Sequence, residues 1–80
     1  MAKGDDALAG RQERDIPSHR FEPQTTDKHI YFQGEYISIY NETTKHQFLL
    51  ETEIRECKRF EVPKGYSVYI RAATLVYWDV

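Results

Sequence analysis

The clearest signal in this chain is an alternation of apolar and polar positions that changes phase at a glycine. Ile30 and Phe32 alternate with His29, Tyr31 and Gln33; beyond Gly34, Ile37 and Ile39 alternate with Tyr36, Ser38 and Tyr40. A period of two is the signature of a strand with one buried face. The apolar positions move from even to odd numbers across Gln33-Gly34, which predicts a strand, a turn and a second strand. Glycine there would supply the positive φ that a tight turn or bulge needs. Tyr31-Phe32-Gln33-Gly34 also spells the end of a protease-recognition tag. Such a site wants glutamate where Lys28 stands, and the alternation runs through it unbroken, so the stretch reads as native.

Turn chemistry punctuates the rest of the chain. Asn41-Glu42-Thr43-Thr44-Lys45 and Pro63-Lys64-Gly65 are turns by composition. After the second, Val68, Ile70 and Ala72 share one face and Tyr69 and Arg71 the other. Val76, Trp78 and Val80 then oppose Leu75, Tyr77 and Asp79, with a bend expected at Ala72-Ala73-Thr74.

Residues 47–61 fit two patterns. As a strand, Phe48, Leu50, Thr52 and Ile54 point one way, and Phe60 and Val62 resume that phase. As a helix, Leu49, Leu50, Ile54, Cys57 and Phe60 lie on one arc, with a capping box at Thr44–Gln47 and a Glu51–Arg55 pair. The extended run into Pro63 and the β-rich neighbours favour the strand. The expected fold is therefore mainly β, a small antiparallel sandwich or barrel of five to seven strands preceded by an extended N-terminal arm. The alternative is an α+β, ββαββ arrangement with one helix at about 47–61.

Two regions differ in composition. Residues 1–28 carry five Lys/Arg and six Asp/Glu, with Leu8, Ile16 and Phe21 as the large apolar residues after Met1, and Pro17 and Pro23 forbid a continuous helix. So little apolar surface does not offset the entropy of ordering a chain, and a polar, flexible arm is expected. Residues 29–80 hold ten of the eleven aromatics and form the expected compact β domain.

Charge and candidate chemistry narrow the function classes. A net charge of −2 lacks the basic character of a nucleic-acid binder. Cys57, the one cysteine, excludes an internal disulfide and reads as a small buried hydrophobe rather than a thiol nucleophile. His19, His29 and His46 lack the spacing of a zinc site, so neither metal nor cofactor is expected. Asn41-Glu42-Thr43 fits a glycosylation acceptor but reads as a polar turn. Glu51, Glu53, Glu56 and Glu61 read as a solvated mixed-charge face rather than a catalytic carboxylate pair. No catalytic motif stands out, and a non-enzyme is expected. The N-terminus carries no signal-peptide pattern and no apolar run reaches the length of a membrane span, so cytoplasmic synthesis without membrane association is expected.

The tyrosines carry the remaining information. With Ile37, Ile39, Val68, Ile70, Val76 and Trp78 facing a core, Tyr36, Tyr40, Tyr69 and Tyr77 face away, and Tyr31 joins them. Tyrosine combines apolar area with a polar tip and is enriched at protein interfaces. The candidate interface is Tyr31, Tyr36, Tyr40, Tyr69, Tyr77 and Arg71, with Ile16 and Phe21 from the arm. The corresponding function is a structural or assembly protein, most concretely a small virion decoration or cement subunit, as a homo-oligomer or bound to a lattice. The alternative is a small regulatory module that binds and blocks one partner protein.

Overall fold

The computed structural model describes residues 16–79. Four strands, β1 (His19–Phe21), β2 (Lys28–Asn41), β3 (His46–Val62) and β4 (Ser67–Asp79), form one antiparallel sheet in the order β1-β4-β2-β3. The mainly β expectation holds. Residues 47–61 lie in β3, so the one-helix alternative is replaced by a strand: the segment pairs with β2 along its length, which satisfies its backbone.

The strands are fewer and longer than expected because three of them bend instead of reversing. A straight strand of 14 residues would measure about 46 Å, yet the longest dimension of the molecule is 35 Å. Connectivity gives the same result. Val62 pairs with Lys28 at one end of β2, while Gly65 lies beside Asn41 at the other. Three residues of chain reach at most about 11 Å, so the ends of β2 must approach each other. The sheet folds over itself and encloses its apolar side.

The fold line crosses β2, β3 and β4 at one level. Register shifts separate Phe32 from Gly34 against β3, and Gln33 from Gly34 against β4. Arg55, Glu56 and Cys57 bulge out between the Gly34–Ile54 and Phe32–Lys58 pairs, and the Gln33 side-chain amide donates to the Arg55 carbonyl at 3.0 Å. Glu53 and Ala72, at φ 58° and 54°, flank the line in the left-handed region. The expected turn at Gln33-Gly34 is thus a bend inside β2. Gly34 has no positive φ there, in contrast to Gly65 at φ 89°; what it supplies is space, because β4 backbone occupies the position of a side chain. The bend anticipated at 72–74 lies on the same line, within a continuous β4.

Ile30, Phe32, Phe60, Val62 and Val76 come from one side of the fold line, and Ile37, Ile39, Val68 and Ile70 from the other; together with Ile54 and Ala73 they form the buried core. Leu49, Tyr66 and Trp78 pack against it. The strand phase expected for β3 is interrupted: Ile54, Phe60 and Val62 are buried, but Phe48 and Leu50 are 38% and 51% exposed. One unbroken register from Gly34–Ile54 to Ile39–Leu49 puts Leu49 opposite Ile39 at the core, and the left-handed Glu53, at φ 58°, lies between Ile54 and this opposite phase. Cys57, expected to be buried, is exposed because it sits on the bulge. Partial desolvation still raises its pKa, against a hydrogen bond from the Phe32 backbone that lowers it, which disfavours the thiolate.

The arm expected over 1–28 lies outside the described residues up to Asp15. From Ile16 the chain is held to the body. Ile16 and Ala73 exchange two backbone hydrogen bonds of 2.6 and 3.1 Å, and β1 pairs with Val68–Ile70. Pairing with β4 offsets the ordering cost that composition alone left uncovered.

Ser67 is fully buried, and its Oγ has no hydrogen-bond partner among the described residues. An unsatisfied buried hydroxyl costs about 1–3 kcal/mol. Ser67→Ala is therefore expected to raise stability by about 1 kcal/mol, read as a higher urea midpoint at unchanged slope. A loss of that size would mean the hydroxyl is bonded.

Candidate functional site

Strand alternation assigns the outer side of the sheet. Cross-strand partners share a face, so Tyr36, Ser38 and Tyr40 of β2 stand with Arg71 and Tyr69 of β4, their partners being Tyr36–Arg71 and Ser38–Tyr69. Arg20 of β1 pairs with Tyr69 and extends this row. The face is the reverse of the Ile37–Ile70 and Ile39–Val68 core pairs.

In the middle of this face one small residue lies among large ones. Ser38, 4% exposed, is flanked by Tyr36 and Tyr40 along its strand and by Tyr69 across from it. The result is an open groove of about 600 Å³, lined by these side chains with Arg20, Arg71, Gln47, Ser18, His19 and Ile70. Gln47 braces the floor. Its amide donates to Ser38 Oγ at 2.8 Å, to the Leu49 carbonyl at 2.8 Å and to the Ile39 carbonyl at 3.2 Å.

The two arginines of the groove stand in different electrostatic settings. Arg20 donates from Nε and Nη2 to the two carboxylate oxygens of Glu42 at 3.1 and 3.0 Å, and Glu22 lies 3.3 Å from Nη1. Its Nε also reaches the Tyr69 hydroxyl at 3.3 Å. The Glu42 hydrogen bond, followed by the charges of Glu42 and Glu22, raises the Arg20 pKa further against opposing desolvation, so Arg20 is cationic throughout. Arg71 instead sits over the Tyr36 ring, 4.4 Å from its centroid, within cation–π range. Among the described residues no carboxylate lies within ion-pair distance of it.

The other expected interface residues lie elsewhere. Tyr31 and Tyr77 are paired across β2 and β4 on the other side of the fold line, with rings stacked at 4.8 Å and 11°. Burial, ahead of the nearby Cys57, Tyr31 and Asp79, raises the Tyr77 pKa. Arg59 and Asp79 form an ion pair of 3.1 Å near this patch. Ile16 and Phe21 pack against this chain's own core, Phe21 edge-on to Trp78 at 5.4 Å. Tyr36, Tyr40, Tyr69 and Arg71 are thus brought together, and Tyr31 with Tyr77 forms a separate stack.

Arg20, Ser38 and Gln47 belong to the groove and were missed from sequence. Ser38 was legible: Tyr-x-Ser-x-Tyr on an outward face implies a notch. Arg20 was not, because only the pairing of β1 with β4, nearly fifty residues apart in sequence, places it.

The remaining polar groups have structural roles. Asn41 Oδ1 accepts from the backbone N–H groups of Thr43 and Thr44 at 2.9 and 3.0 Å, which builds the turn expected there. His46 is hydrogen-bonded to the Tyr66 hydroxyl at 2.6 Å. Glu51, Glu53, Glu56 and Glu61 are exposed along β3. Among the described residues no three His, Cys, Asp or Glu side chains gather as a metal site, and no helix is long and apolar enough to cross a membrane. Comparison with protein-family models, with curated proteins and with solved structures finds no match.

Proposed function

We propose that this chain is a non-enzymatic structural or assembly protein that docks onto another protein surface through its tyrosine-rich β face. One observation carries the reading: Tyr36, Tyr40, Tyr69 and Arg71 converge on a single open groove with a small-residue floor. Tyrosine and arginine are the residue types that dominate binding energy at protein interfaces. Their rings here are half-buried, and Arg71 is already positioned by Tyr36, so little side-chain freedom is lost on docking. Nucleic acid fits less well, because Glu22 and Glu42 offset the charge of Arg20. A decoration or cement subunit on a repetitive shell such as a virion is the concrete form of this proposal, resting on architecture: a small β body with its recognition chemistry on one face.

The test is the molar mass of the full chain by light scattering from micromolar to millimolar concentration, for the wild type and Tyr69→Ala. The expected result is an oligomer that Tyr69→Ala weakens about 30-fold, the equivalent of a 2 kcal/mol interface residue, with the variant monomer still folded. A wild type that is monomeric at every concentration overturns self-assembly and favours a regulator of one separate partner. Unfolding of the variant would place Tyr69 among the core residues.

A further inference from the structure

We infer that the groove recognises a carboxylate side chain on an extended segment of the docking partner, with Arg71 as the anchoring cation; this rests on the docking proposal above. The groove is rich in donors and, among the described residues, has no charged acceptor left free. Ser38 Oγ accepts from Gln47, which leaves its own hydroxyl hydrogen to donate. The tyrosine hydroxyls add further donors, and the two carboxylates at the rim, Glu42 and Glu22, are engaged with Arg20. That engagement displays the recognition within the molecule itself: the Glu42 carboxylate is gripped by both an Nε and an Nη of Arg20. Arg71 is the same fork-shaped donor on the same groove, held by the Tyr36 ring with no such carboxylate.

Charge selects the ligand class. Arg20 and Arg71 together are balanced by Glu22 and Glu42, so the groove is close to neutral. One carboxylate pairs with the one open guanidinium and leaves a single excess negative charge, whereas a phosphate dianion would leave about two beside Glu42 and Glu22. The aromatic walls of Tyr40 and Tyr69 suit an apolar neighbour of the acidic residue, two positions along an extended strand and therefore on the same side.

The probe is propionate, a single carboxylate, with propionamide as its uncharged counterpart, titrated into the full chain while the Arg71 Nε–H and Tyr36 ring resonances are followed by NMR. Propionate is expected to shift these signals saturably and to bind about tenfold more tightly than propionamide, the ratio between a charge-assisted and a neutral hydrogen bond. Arg71→Gln should abolish the difference with the amide spectrum otherwise preserved, and Arg71→Lys should retain part of it. Equal responses to both probes, no saturation, or shifts centred away from Arg71 would overturn the inference. The two proposals fail separately. Association lost in Tyr69→Ala but indifferent to Arg71→Gln removes the carboxylate and keeps the docking face. Propionate binding at Arg71 with association indifferent to Tyr69→Ala does the reverse.

Discussion

Gly34→Ala is expected to cost about 3 kcal/mol or more and to leave the chain largely unfolded at room temperature. An added Cβ would lie 2.6 Å from Ala73 Cα, 2.7 Å from the Ala72 carbonyl oxygen and 2.9 Å from Phe32 Cζ. The first two are backbone atoms of the paired strand, and no rotamer change moves them. β2 and β4 would have to part where the sheet folds over, next to Ala72, which already has a φ of 54°. Overpacking a rigid site costs about 1–3 kcal/mol and more where backbone must shift. A single core in a domain of this size supplies only about 3–5 kcal/mol in total. Urea denaturation followed by far-ultraviolet circular dichroism checks this; a midpoint within error of wild type would mean that the two strands do not approach this closely.

Phe32→Ala is expected to cost about 3–5 kcal/mol, the usual range for emptying a fully buried aromatic site. Phe32 has no exposed surface and lies between Lys58 of β3 and Val76 of β4, next to the fold line. Its removal opens a cavity where the two halves of the sheet meet. Phe48→Ala, at a site 38% exposed, is the control and should change stability far less. The double variant Gly34→Ala/Phe32→Ala adds a further check. Truncating Phe32 removes one of the three obstructions at Gly34 and leaves both backbone ones, so the double variant should be no more folded than Gly34→Ala alone. Rescue of Gly34→Ala by Phe32→Ala would identify the ring, and not β4, as the obstacle.

These expectations bear on the groove as well as on stability. The fold line sets where β2 changes phase, and with it which residues of 34–41 face outward. If the bend at Gly34 moved by one residue, Tyr36, Ser38 and Tyr40 would turn toward the core and Ile37 and Ile39 toward solvent. The glycine that lets the sheet close is therefore also what places the tyrosines on one open face.

The sequence by itself determined the properties that depend on neighbouring residues. Period-two alternation assigned Ile30, Phe32, Ile37, Ile39, Val68, Ile70 and Val76 to the core and set the tyrosines opposite them, because successive side chains of a strand point to opposite faces. Turn chemistry at Asn41–Lys45 and Pro63–Gly65 is local in the same way. Only the tertiary structure decided what depends on contacts between distant residues. Whether Gln33-Gly34 reverses the chain or bends it turned on the space left by Ala72 and Ala73. Whether residues 47–61 form strand or helix turned on a long partner, since hydrogen bonds to β2 override a weak local preference. Exposure of Cys57 came from a bulge opposite Gln33 that no periodicity announces. The docking of His19–Phe21 on β4, and with it the arrival of Arg20 beside Tyr69, comes from pairing across most of the chain. Backbone hydrogen bonds are indifferent to sequence separation, so residues that are remote in the chain become neighbours only once the sheet has closed.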